Sequence, residues 1–132
     1  MAEWVSPPLE TMTRIPLILS LLALLPASAL AQNTWFVPDD FSTIQAGIDG
    51  SVNGDTVIVR DGTYVENINF NGMAITLKSE NGPATTIIDG NQAGSVVSFR
   101  SGEGSNSVFK GFTVTEGATT YGGGMICNGA SP

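Results

Sequence analysis

Apolar and polar side chains change places at every second residue through much of this chain. The alternation is clearest at Ile75-Thr76-Leu77-Lys78 and Phe112-Thr113-Val114-Thr115. In an extended strand the apolar members of each run share one face and the polar members the other. Asn67, Asn69 and Asn71 flank Ile68 and Phe70 in the same way. Short runs of this type occupy 56–59, 67–70, 75–78, 86–88, 96–99 and 112–115. Between them stand Asn53-Gly54, Asp61-Gly62, Asn71-Gly72, Asn81-Gly82-Pro83 and Asp89-Gly90, pairs that tolerate the left-handed backbone of tight corners. Short strands with regular turn punctuation predict an all-β fold with Ile68, Phe70, Ile75, Leu77, Phe112 and Val114 pointing inward. Val57-Ile58-Val59 and Ile87-Ile88 are apolar on both faces, so some outer cover is expected there.

An antiparallel sandwich and a parallel solenoid both accommodate such strands, and spacing favours the solenoid. Val57, Ile75 and Val97 begin runs 18 and 22 residues apart, while Ile68, Ile87 and Val108 lie 19 and 21 apart. Two strand series with a shared period near twenty indicate coils that each carry several strands. One segment departs from the β pattern. Phe41, Ile44 and Ile48 have helical spacing, with Asp40 or Ser42 as N-cap candidates and Gly50 as a stop. A short amphipathic helix here covers the first coil, whose backbone edge and core are otherwise open.

Three phrases carry a family resemblance: Phe41-Ser42-Thr43-Ile44-Gln45-Ala46, Gly54-Asp55-Thr56-Val57-Ile58-Val59 and Asp61-Gly62-Thr63-Tyr64-Val65-Glu66-Asn67-Ile68. Together they resemble the opening of pectin-lyase-like right-handed β-helix proteins. Gly111-Phe112-Thr113-Val114 and Gly122-Gly123-Gly124-Met125-Ile126 look like the repeats of secreted β-helix proteins. The resemblance covers nearly all of 34–132 and implies a right-handed parallel β-helix. It divides the chain into an N-terminal strand and capping helix at 32–53 and the first coils at 54–132. Asp61-Gly62-Thr63-Tyr64 reads as a corner with the Tyr64 ring packed and its hydroxyl wet. Gly122-Gly123-Gly124 leaves room for close backbone approach, or else forms a flexible loop. Asn128-Gly129-Ala130-Ser131-Pro132 resembles the turn into a further coil, and no closing cap follows, so the fold is expected to be C-terminally truncated.

The segment 1–31 stands apart. Arg14 precedes the apolar run Ile15-Pro16-Leu17-Ile18-Leu19-Ser20-Leu21-Leu22-Ala23-Leu24-Leu25, and Pro26 and Ala29-Leu30-Ala31 follow. That order fits a signal peptide with cleavage after Ala31, and the run is shorter than the ~20 residues a membrane span needs. Residues 1–13 carry Glu3 and Glu10 and no basic side chain, which suits a start at Met12 better than one at Met1. The expected location is secreted or cell surface, with no stable membrane span once the signal is removed.

Composition narrows the chemistry. Net charge is −7, histidine is absent and Lys plus Arg number 5. Without a basic patch, nucleic acid is not an expected partner. Polypectate needs a calcium bridge or a basic groove to approach so acidic a chain. Cys127 is the single cysteine, so an internal disulfide framework is excluded, and a buried apolar role is expected for it. Family enzymes use acidic clusters with an Arg or Lys base, or Asp pairs on neighbouring coils. Here Asp89 sits in a turn without an acidic residue one coil away, and Glu80 and Glu103 read as solvated loop charges. Arg60, Arg100, Lys78 and Lys110 are scattered, and Asp39-Asp40 is explained by helix capping as readily as by calcium. No catalytic residue, cofactor or metal ligand is assigned. Asn67, Asn69 and Asn71 with Thr76 form a neutral polar strip, read first as a ladder or solvated face and second as a sugar contact. The sequence thus predicts an exported or cell-surface β-helix of structural, adhesive or glycan-binding character. The partners expected are polysaccharide or envelope glycan, and self-association through an open C-terminal coil. The alternative is the N-terminal part of a carbohydrate-active enzyme whose catalytic coils lie beyond Pro132.

Overall fold

The computed structural model describes residues 31–120 and 122–130, so the expected signal peptide, apart from Ala31, and the expected start at Met12 lie outside the described residues. Ten short strands and one helix follow in order: β1 Thr34–Val37, α1 Ile44–Gly50, β2 Thr56–Val59, β3 Gly62–Val65, β4 Ile68–Asn69, β5 Thr76–Ser79, β6 Thr86–Asp89, β7 Val97–Phe99, β8 Val108–Lys110, β9 Thr113–Thr115 and β10 Met125–Cys127. They stack in three sheets, ordered β1-β2-β5-β8, β3-β6-β9 and β4-β7-β10, and every pairing is parallel. The chain is a right-handed parallel β-helix of about 4 turns. Coil one is β2-β3-β4, coil two β5-β6-β7 and coil three β8-β9-β10, with β1 and α1 ahead of them.

The register corrects how the period is made. Val57 stands opposite Leu77, Ile68 opposite Val97, and Ile87 between Thr63 and Thr113. Each strand series expected from spacing therefore mixes members of different sheets, because every coil holds three strands. Coil length also varies: Val57 to Leu77 is 20 residues, whereas Leu77 to Phe109 is 32. Of the expected corner Asp61–Tyr64, Gly62 to Tyr64 belong to strand β3, and the half-buried Tyr64 hydroxyl donates to the Arg60 carbonyl at 3.0 Å.

Inward positions stack into a dry column. Val37, Val57, Val59, Ile68, Phe70, Ile75, Leu77, Ile88, Val97 and Phe99 are buried with Ile44 and Ile48 of the helix. Phe70 stacks on Phe99 one coil on, with ring centroids 4.4 Å apart. Phe109 and Phe112 continue the column at 4.8 Å. Phe112 and Val114 point inward but are only half-buried, since no further coil covers them among the described residues. Ile58 and Ile87, on the outer faces of β2 and β6, are half-covered.

Helix α1 is shorter than its apolar spacing suggests, and its N-cap is Thr43. The Thr43 hydroxyl accepts from the Ala46 N–H at 3.1 Å. Asp40 instead closes the turn after β1, accepting from the Phe36 N–H at 2.8 Å. Gly47 brings the helix close to the sheet, because a Cβ there meets Val57 and Val37 at 3.1 and 3.2 Å. At the other end of the stack, Gly117 and Gly123 touch backbone to backbone. The Val96 and Val97 N–H groups donate to carbonyls of Gly123 and Gly124. The glycine run is thus a close approach, not a loose loop.

Candidate functional site

Polar residues at the corners fall into two groups, those spent on holding coils together and those left free. Asp55, ahead of β2, is 1% exposed. Its carboxylate accepts from the Asn33 N–H (2.9 Å), the Trp35 indole N–H (3.0 Å) and the Val52 N–H (3.1 Å). Burial pushes its pKa up, but these donors outweigh burial and hold it below the usual carboxylate range. Glu103 behaves alike at 2% exposure, accepting from the N–H groups of Gly72 and Ser101, each at 2.8 Å. Burial raises its pKa, and backbone donors led by Gly72 bring it below normal. The solvated charge expected at Glu103 is therefore a buried latch. The sequence conceals it, because one of its two donors, the Gly72 N–H, belongs to a distant turn.

Two further residues of the family-like phrases seal the first coil. Glu66 accepts from the Ile44 and Gln45 N–H groups at 2.9 and 3.0 Å, satisfying helix donors that lack an internal partner. The Gln45 side-chain amide donates to the Asn69 carbonyl at 3.0 Å and accepts from the Asn69 N–H at 2.8 Å. It thereby pairs with the free edge of β4 as another strand would. Arg60, expected to serve solubility, bridges three levels of the stack. It binds Asp39 and Glu80, both at 2.8 Å, and lies 4.7 Å from the Phe36 ring. Asp39 is held below its usual pKa by the Arg60 hydrogen bond. Asp39 and Asp40 are thus committed to an ion pair and a turn. Among the described residues no group of three or more His, Cys, Asp or Glu is placed to hold a metal.

The asparagine strip is also spent. Asn67 donates to the Ser95 carbonyl, Asn71 donates to Asp49, and Asn69 accepts from the Asn71 N–H. Thr76 does not join it, because β5 belongs to a different sheet from β4. Asp89 caps its own turn through the Asn91 N–H. Cys127 is exposed; it stands in register with inward Phe99, at a core position that no coil covers among the described residues.

Thr76 lines a groove of about 560 Å³ instead, where successive coils enter the first sheet. Gln32, Asn53, Gly54 and the bonded Asp55 form one end, Ala74 and Thr76 the middle, and Ser105, Asn106 and Val108 the other end. Asn53 is tied to the Ala74 N–H at 3.0 Å. The side chains of Gln32, Thr76, Ser105 and Asn106 make no hydrogen bond among the described residues. They present amide and hydroxyl donors and acceptors without charge. Lys78 and Lys110 stand side by side on the outer face, two positions beyond Thr76 and Val108. Sequence reading missed this groove because its members come from four levels of the stack, Gln32 ahead of β1 and the rest from three coils of unequal length. No family model, curated protein or solved structure matches the chain.

Proposed function

We propose that this chain is an exported β-helix of structural and adhesive character that holds a glycan in the groove around Thr76 and Asn106. Four unspent neutral polar side chains in one groove support this reading. By contrast, the carboxylates of Asp55, Glu66 and Glu103 and the side chains of Asn53 and Gln45 are held by backbone partners. Sugar hydroxyls both donate and accept, so they suit amide and hydroxyl partners, while the lysine pair beside the groove accommodates a uronic acid carboxylate. The signal-like order of residues 14–31 and the pectin-lyase-like phrases supply the exported location and the glycan class. A panel of neutral and uronic-acid oligosaccharides, screened by calorimetry against the chain, tests it. Thr76→Val combined with Asn106→Ala is expected to weaken binding about tenfold or more. Binding unaffected by that pair, or release of new reducing ends, contradicts the reading and favours an enzyme.

A second reading concerns the third coil, and we propose that it docks a second copy of this chain. Phe99, Phe109 and Met125 line a hollow of about 320 Å³ there, and Met125 is 43% exposed. Residues 100–130 carry Arg100, Lys110, Glu103 and Glu116, a net charge of zero, against −7 for the chain. Two copies meet at this end without the like-charge repulsion that the acidic remainder imposes. The opposite end is blocked by α1 and Gln45, so a pair closes end to end instead of growing into a fibre.

A further inference from the structure

Asparagine followed by glycine is chemically the least durable dipeptide of the corners, and this chain has four: Asn53-Gly54, Asn71-Gly72, Asn81-Gly82 and Asn128-Gly129. The glycine nitrogen attacks the asparagine Cγ. An N–Cγ bond forms, the Cγ–Nδ2 bond breaks, and the side-chain nitrogen leaves as ammonia with the proton given up by the glycine nitrogen. The five-membered succinimide then adds water at either carbonyl, leaving aspartate or isoaspartate. The net change is asparagine plus water to an acid plus ammonia, with nothing oxidised or reduced. Glycine is favoured because no Cβ obstructs the ring closure. The step needs a glycine N–H free to turn toward a free asparagine side chain.

Three of the four pairs fail that requirement on both counts. The Gly54 N–H donates to the Ala74 carbonyl at 2.8 Å, and Asn53 Oδ1 is held by the Ala74 N–H at 3.0 Å. The Gly72 N–H is bound by the buried Glu103 carboxylate at 2.8 Å, while the Asn71 amide donates to Asp49 at 3.2 Å. The Gly82 N–H donates to Ser79 Oγ at 3.0 Å, and the Asn81 amide donates to Asp61 at 3.0 Å. Asn128-Gly129 differs. Asn128 is fixed only by its backbone N–H, which donates to the Phe99 carbonyl at 2.9 Å. Neither its side chain nor the Gly129 N–H has a partner among the described residues, and both residues are exposed.

We propose that Asn128-Gly129 is a self-modification site, at which the folded chain converts Asn128 to aspartate or isoaspartate while its other Asn-Gly corners are spared. The conversion places a new carboxylate on the charge-balanced third coil. The same fold feature, a corner N–H bound by a neighbouring strand or side chain, explains both the protection of three sites and the exposure of the fourth.

The full chain, held in mildly alkaline buffer at body temperature and sampled by peptide mapping, tests this. Replacement of the side-chain NH2 by OH is expected at Asn128 about tenfold or more faster than at Asn53, Asn71 and Asn81, whose reaction requires local opening. In concentrated urea the four rates converge, which assigns the selectivity to the fold without relying on any variant. Asn128→Gln abolishes the change there and leaves the other three sites as slow as before. Equal rates at all four sites in the folded chain, or an Asn128 as durable as the others, overturns the proposal.

Discussion

Asp55 and Glu103 keep their charge out of solvent because backbone and indole N–H groups converge on them. An amide of the same shape turns an NH2 donor toward those donors. Asp55→Asn is therefore expected to cost about 3 kcal/mol of unfolding free energy, read by urea titration. Because both pKa values are lowered in the fold, their contribution is complete above the unfolded carboxylate range, near pH ~4. It is lost as pH falls through the lower folded values. Asp55→Asn with Glu103→Gln should flatten the acid limb of a stability–pH curve; a limb as steep as the parent's counts against these latches. The inward list was legible at this scale, since Ile68, Phe70, Ile75 and Leu77 follow strict alternation and are all buried. Glu103 was not legible, because a carboxylate among glycines and serines gives no sign that backbone donors surround it.

Helix α1 is about two turns of weakly helical sequence, and it persists through what grips its first turn. Thr43 supplies one acceptor and Glu66, from the far side of coil one, supplies two. Glu66→Ala leaves the Ile44 and Gln45 N–H groups unpaired, at a cost of about 1–2 kcal/mol. Hydrogen exchange should then quicken across Ile44–Gly50 and at Asn69, whose backbone Gln45 covers. Quickened exchange at Asn69 with α1 unchanged contradicts the coupling. The helix and its apolar face are readable from Phe41, Ile44 and Ile48, yet the cap is Thr43 and not Asp40 or Ser42. Asp40 is drawn instead to the Phe36 N–H, a local turn bond that competes with capping. Strand existence was readable too, but not sheet membership. Unequal corners between β5 and β8 break the simple period that spacing arguments assume.

Seen as a whole, the stack has two unlike ends. One is closed by α1 and the Gln45 amide. The other presents Phe109, Met125 and Cys127 at inward positions that nothing covers among the described residues. Met125→Glu adds charge to that end, and sedimentation velocity should show a concentration-dependent pair in the parent chain and a monomer in the variant. A monomeric parent rejects docking of a second copy. Along the side of the stack runs the groove of Gln32, Thr76, Ser105 and Asn106, the proposed glycan site. The most direct test is amide chemical-shift mapping of the labelled chain during titration with the oligosaccharide that binds best. Shifts gathered at Thr76, Ser105 and Asn106, with Asn67, Asn69 and Asn71 unmoved, are expected if the groove holds the glycan. Shifts centred on the asparagine strip, or none with any glycan, contradict that reading.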